Sequence, residues 1–178
     1  RGERLTEDEG DGRFYRFRPK AWGDLSSGVL EAARLEPVRA NEWAVFWKPV
    51  SPLRPARDPD TTPFARGEGA WFHEGSIYFC TTSDDRVWRY EPSHSDAPGR
   101  MTLIYDAAAI GPEAPLREPD NVTVHAPSGD VYVAEDADDL QLVLLADAGG
   151  TLIAAPFMQL FGHAGSEVTG PAFSPDGR

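Results

Sequence analysis

Three acidic residues, Glu68, Asp120 and Glu167, each stand just ahead of a β-rich run. The turn glycines Gly75, Gly129 and Gly177 mark those places as equivalent, because they recur about 54 and 48 residues apart, a spacing that suits propeller-blade repeats. Separate repeats would aim separate carboxylates at one spot, where they cannot all stay ionised unless cations neutralise them. Hard oxygen donors of this kind suit calcium or magnesium, and also iron in a higher oxidation state. Such a cluster can bind and polarise a phosphoryl oxygen. Arg66, two residues before Glu68, supplies the planar donor that grips phosphate. A second recurring position, at the end of the second strand of a repeat, carries Glu135-Asp136 and Glu7-Asp8. Singly, any of these acids also reads as a turn cap or a solvated loop residue. Recurrence is what favours a shared site.

Other chemistries have less support. His73, His94, His125 and His163 lack metal-ligand spacing. Cys80, the single cysteine, lies between aromatic and threonine residues and reads as a small core residue. No Ser/His/Asp arrangement or phosphate-cradling glycine loop is visible. The formal net charge of −12, from 29 acidic against 17 basic residues, argues against a nucleic-acid partner, which would need Lys and Arg patches. No apolar run approaches membrane-spanning length, and a monomer is expected.

The elements that must position these residues are short strands. Residues 62–90 open with an Arg66-Gly67-Glu68-Gly69 turn, followed by strands at Ala70–Phe72, Ile77–Thr81 and Val87–Tyr90. The intervening turns are His73-Glu74-Gly75 and Ser83-Asp84-Asp85, so the stretch reads as an antiparallel meander. The run GSIYFCTTSDD from Gly75 matches GDVYVAEDADD from Gly129 throughout. Strands are expected at Met101–Tyr105, Val122–His125, Val131–Ala134, Gln141–Leu145 and Thr151–Ala155, with a further one at Ala172-Phe173 after Glu167. Residues 1–47 read as a first unit with strands at Arg13–Arg18 and Trp43–Trp47, and Trp22–Leu35 as strand rather than helix. Five prolines between residues 48 and 67 make that stretch a connection rather than a central strand. The expected class is all-β, a β-propeller fragment with antiparallel blades. The chain begins on Arg1 and closes on a turn at Ser174-Pro175-Asp176-Gly177. It therefore reads as one incomplete propeller domain over residues 1–178, cut at both ends.

At RGEG, PDN, the strand-ending ED and SEVTGPAFSPDG, the sequence resembles the PhoX family of bacterial alkaline phosphatases and their uncharacterised propeller relatives. The resemblance runs through nearly the whole chain, including LTEDEGDGRFYRF and the Trp22–Leu30 stretch, which looks like the family's middle blade. It implies a six-bladed parent whose axial site holds calcium and iron and hydrolyses small phosphomonoesters. By that resemblance Glu68, Asp120 and Glu167 match acidic metal-site positions and Arg66 the phosphate-binding arginine, with Glu135, Asp136 and Glu7 as weaker matches. It also implies a periplasmic or secreted protein. Cys80 lies outside the family's cysteine motif and does not inherit its iron-ligating role. The alternative is a non-catalytic calcium-binding propeller that serves as a binding or cell-surface module.

Overall fold

The computed structural model describes residues 12–51, 58–95, 97–137, 139–163, 165–174, 176 and 177. In chain order the strands are β1 (Gly12–Arg13), β2 (Tyr15–Pro19), β3 (Gly28–Arg39), β4 (Glu42–Pro49) and β5 (Pro63–Phe64), then β6 (Gly67–His73), β7 (Ser76–Thr81), β8 (Arg86–Glu91) and β9 (Gly99–Asp106). A short helix, α1 (Ala107–Ile110), precedes β10 (Pro119–Val124), β11 (Val131–Glu135), β12 (Gln141–Asp147) and β13 (Leu152–Gln159). All pairings are antiparallel. The chain is therefore all-β with antiparallel sheets, consistent with a stretch of β-propeller.

Two four-stranded meanders form the centre. One is β6-β7-β8-β9 and the other is β10-β11-β12-β13. Each has a middle strand buried on both faces: β7 from Tyr78 to Thr81, and β11 throughout. Strand side chains alternate between faces, and the two cores follow that alternation. Tyr78 and Cys80 of β7 meet Val131 and Val133 of β11 in a core between the meanders, joined by Val122, Val124, Val143 and Leu145. The opposite face of β7 sends Phe79 into a second core with Phe64, Trp88 and Met101. Tyr132 and Ala134, on the opposite face of β11, pack with Leu140, Leu142 and Val168. Each fully buried aliphatic side chain contributes roughly 1.5–3 kcal/mol, so the inter-sheet contact is strongly held.

The part of the repeat inferred from Gly75 and Gly129 is present, since both lie in hairpin turns at positive φ, while Gly177 is flanked by no strand among the described residues. Trp22–Leu35 carries strand from Gly28 onward, with turns and bends over most of residues 20–27. Two expectations differ. Strands β2, β3 and β4 do not close a unit of their own among the described residues; β4 pairs with β9, making one seven-stranded sheet. The pairing is made by contacts distant in sequence: β3 and β4 are long, and the Trp43 ring packs tilted against Trp88 at a centroid separation of 5.5 Å. Ala172-Phe173 is not a strand. Instead Phe173 packs its ring against His125 and Tyr132.

Candidate functional site at the starts of the inner strands

Strands β6 and β10 are the first strands of the two meanders, and both begin with an irregularity. The register passes from Gly67 opposite Thr81 to Ala70 opposite Phe79, so Glu68 and Gly69 share the place of one residue. In β10 it passes from Pro119 opposite Glu135 to Asn121 opposite Ala134, which leaves Asp120 as the extra residue. A bulge re-aims side chains and twists the strand. Two of the three carboxylates expected at equivalent points, Glu68 and Asp120, therefore lie inside equivalent bulges.

The residue before each strand repeats as well. Arg66 and Glu118 both have left-handed backbone, at φ 53° and 42°. Each carbonyl accepts the N–H of the residue just beyond the second strand: Thr82 N donates to Arg66 O at 3.0 Å, and Asp136 N to Glu118 O at 2.9 Å. A non-glycine residue in this conformation carries some strain, and here it recurs in both repeats. The unit is thus a left-handed residue, a spacer and a carboxylate, read as Arg66-Gly67-Glu68 in one blade and Glu118-Pro119-Asp120 in the next.

The two units touch. A Cβ at Gly69 would lie 2.8 Å from both Asp120 O and Asn121 Cα, so only glycine lets β6 come this close to β10. Glu68 and Asp120 both act on Cys80. Burial first, then Asp120 and Glu68, push its thiol well above the ordinary range, which keeps it protonated and agrees with a core role.

Arg66 crosses between the blades. Its Nε donates to Glu68 Oε1 at 3.0 Å, and an Nη donates to Asp136 Oδ2 at 3.4 Å. All three side chains remain about one-quarter to one-third exposed, so solvent reaches the group. Glu68 also borders a cavity of about 180 Å³ walled by Arg13, Phe14, Phe64 and Phe79. Glu135 is buried at 1% exposure. Its Oε1 accepts from Arg117 N at 2.8 Å, while its Oε2 has no partner. Burial, outweighing that bond, pushes its carboxyl up to about 7.

The structure thus joins Arg66, Glu68 and Asp136, and sets Asp120 on the strand against Gly69. Glu167 is exposed in the segment after β13, which carries no further strand among the described residues. Glu7 lies outside the described residues. Sequence reasoning passed over Thr82 and Asp85. Asp85 Oδ1 accepts Glu118 N at 2.7 Å, and its Oδ2 takes Arg117 Nη1 at 3.2 Å, which ties the first meander to the approach to β10. The signal was in the repeat: Thr81-Thr82 stands where the other copy has Glu135-Asp136.

In chemical kind the donors at the strand starts, two carboxylates and the Asn121 amide, are hard oxygens that fit a hard cation. The orphaned Glu135 Oε2 is a further buried oxygen acceptor without a donor. Among the described residues no three of His, Cys, Asp and Glu stand together closely enough to form a full ligand group.

Repeated antiparallel meanders whose inner strands start on bulged carboxylates define a propeller-type protein with its polar groups gathered at one end of the blades. The family model for alkaline phosphatase PhoX matches residues 4–178, and the chain belongs to that family. Membership supports a phosphatase-type function acting on a small substrate. The family is generally metal-dependent. No curated protein and no solved structure matches the chain. Among the described residues no helix is long and apolar enough to cross a membrane.

Proposed function

We propose that the chain serves a metal-dependent phosphomonoesterase, with Arg66 orienting the substrate phosphate and the blade-end carboxylates holding calcium and iron. The observation that carries this reading is the position of Arg66, whose guanidinium bridges Glu68 of one blade and Asp136 of the next. Glu68 and Asp120 are the residues proposed to hold calcium, with Glu135, Asp136, Glu167 and Glu7 as further contributors. A bound cation supplies Lewis acidity that polarises a phosphoryl oxygen. The chain's own residues do the rest. The Arg66 fork can present parallel N–H donors to two phosphate oxygens. Glu68 and Asp136 hold that fork in place, and Phe64 and Phe79 supply apolar walls to the cavity beside Glu68. Export to the periplasm or the medium accompanies this reading.

A second reading, a calcium-binding propeller without catalysis, draws on the ion pairs that already engage Arg66. The experiment that separates the two is p-nitrophenyl phosphate turnover by the complete protein, with metal content measured in parallel. Turnover lost on Arg66→Ala at constant metal content supports the phosphatase. Metal binding without turnover in the unaltered protein supports the second reading.

A further inference from the structure

We propose that Thr82 is the positioning residue that fixes the Asp120 carboxylate relative to the Arg66 guanidinium. This inference rests on the metal-site reading above. Thr82 follows β7 directly and is buried at 3% exposure. Its two donors point at the two repeated turns. The backbone N–H donates to Arg66 O at 3.0 Å, and the hydroxyl donates to Pro119 O at 2.8 Å. The Pro119 carbonyl belongs to the planar peptide that also contains the Asp120 nitrogen, so holding that oxygen sets the plane from which Asp120 departs. One residue of the first blade therefore clamps both the left-handed turn before Glu68 and the peptide before Asp120.

In the other blade, Asp136 occupies the position equivalent to Thr82. Its N–H makes the matching bond to Glu118 O, while its carboxylate takes Arg66. The hydroxyl of Thr82 thus performs a task that an ionised acid could not perform there, because a carboxylate cannot donate to a carbonyl. A carboxylate at residue 82 would instead repel the Pro119 oxygen. This explains why the repeat has a threonine at this position and an acid at the next.

Thr82→Val keeps the shape and the backbone N–H and removes only the hydroxyl donor. The bond to Arg66 O survives, so the phosphate-orienting arm stays in place while the Asp120 arm loosens. A lost buried hydrogen bond of this kind corresponds to roughly a five-fold change in an equilibrium constant. The test is calorimetric titration of the full chain with calcium alone, set beside the thermal midpoint and the KM for p-nitrophenyl phosphate at saturating calcium. The expected result is calcium affinity about five-fold weaker in Thr82→Val, recovered in Thr82→Ser, with KM unchanged. Thr82→Ala, which removes the same donor, decides the matter if the valine variant does not fold. Unchanged calcium affinity in the folded variant would overturn the role of Thr82 and leave the metal-site reading standing. Failure of the unaltered protein to bind calcium would overturn both.

Discussion

Arg66 is the residue on which the proposed phosphate chemistry turns. It has left-handed backbone, lies between two carboxylates from different blades, and remains about one-third exposed. Arg66→Ala should lower kcat/KM for a phosphomonoester by about a hundredfold, the scale of losing one charge-stabilising donor, without changing metal content. Arg66→Lys should restore little of this, since an ammonium lacks the planar fork. Glu135 makes a different prediction, about pH. Its carboxyl is pushed up to about 7 by burial, so the folded state binds more protons than the unfolded state between the ordinary carboxylate range and neutrality. Stability without metal should therefore fall as pH rises from about 4.5 to about 7, then level off. Chemical denaturation across that range, in the presence of chelator, reads this directly. Glu135→Gln should flatten the profile, and a wild-type profile rising with pH would refute the assignment.

At the scale of elements, the close approach of β6 and β10 governs the site. Gly69→Ala would force a Cβ within 2.8 Å of the Asp120 carbonyl oxygen and Asn121 Cα, both backbone atoms that cannot swing aside. It should cost roughly 1–3 kcal/mol of stability and weaken calcium binding, measurable by thermal melting and titration on the same sample. Unchanged melting would mean that the two strands do not meet as described. Much of this element was legible in the sequence. Gly75, Gly129 and Gly177 set the expected repeat, and counting back from them put Glu68, Asp120 and Glu167 at corresponding places. Glu68 and Asp120 lie in paired bulges, whereas Glu167 precedes no strand among the described residues. The bulges themselves were not legible, because a bulge is a mismatch between two strands and shows only when the partner's register is known. The β4–β9 pairing was hidden for a similar reason. It joins Trp43 to Met101 across a long separation in sequence, and local periodicity carries no record of such a partner. The Ala172-Phe173 strand did not form: Phe173 packs on the rings of His125 and Tyr132, and Ala172 is exposed.

At the scale of the whole molecule, charge and architecture bear on one another. A formal net charge of −12 destabilises a compact state by self-repulsion, and cations bound at the blade ends would relieve part of it. Calcium at a hundred times its dissociation constant should add about 2.7 kcal/mol to stability. For a chain of this length that corresponds to a rise of several degrees in thermal midpoint, well above that from an equal ionic strength of sodium chloride. The membership in the PhoX family and the propeller-type meanders were both legible beforehand, the first from ordered motifs and the second from the repeat. The ion-pair partner of Arg66 in the neighbouring blade was not, because it joins residues 66 and 136 through a contact made only after both meanders have folded. In the proposed reading, the carboxylates at the blade ends hold metal for phosphate-ester hydrolysis. The most direct test is elemental analysis of the complete protein together with p-nitrophenyl phosphate turnover before and after chelation. Calcium and iron are expected in the purified protein, with turnover that chelator abolishes and restored metal recovers. Calcium alone with no turnover, or turnover indifferent to chelator, would contradict that reading.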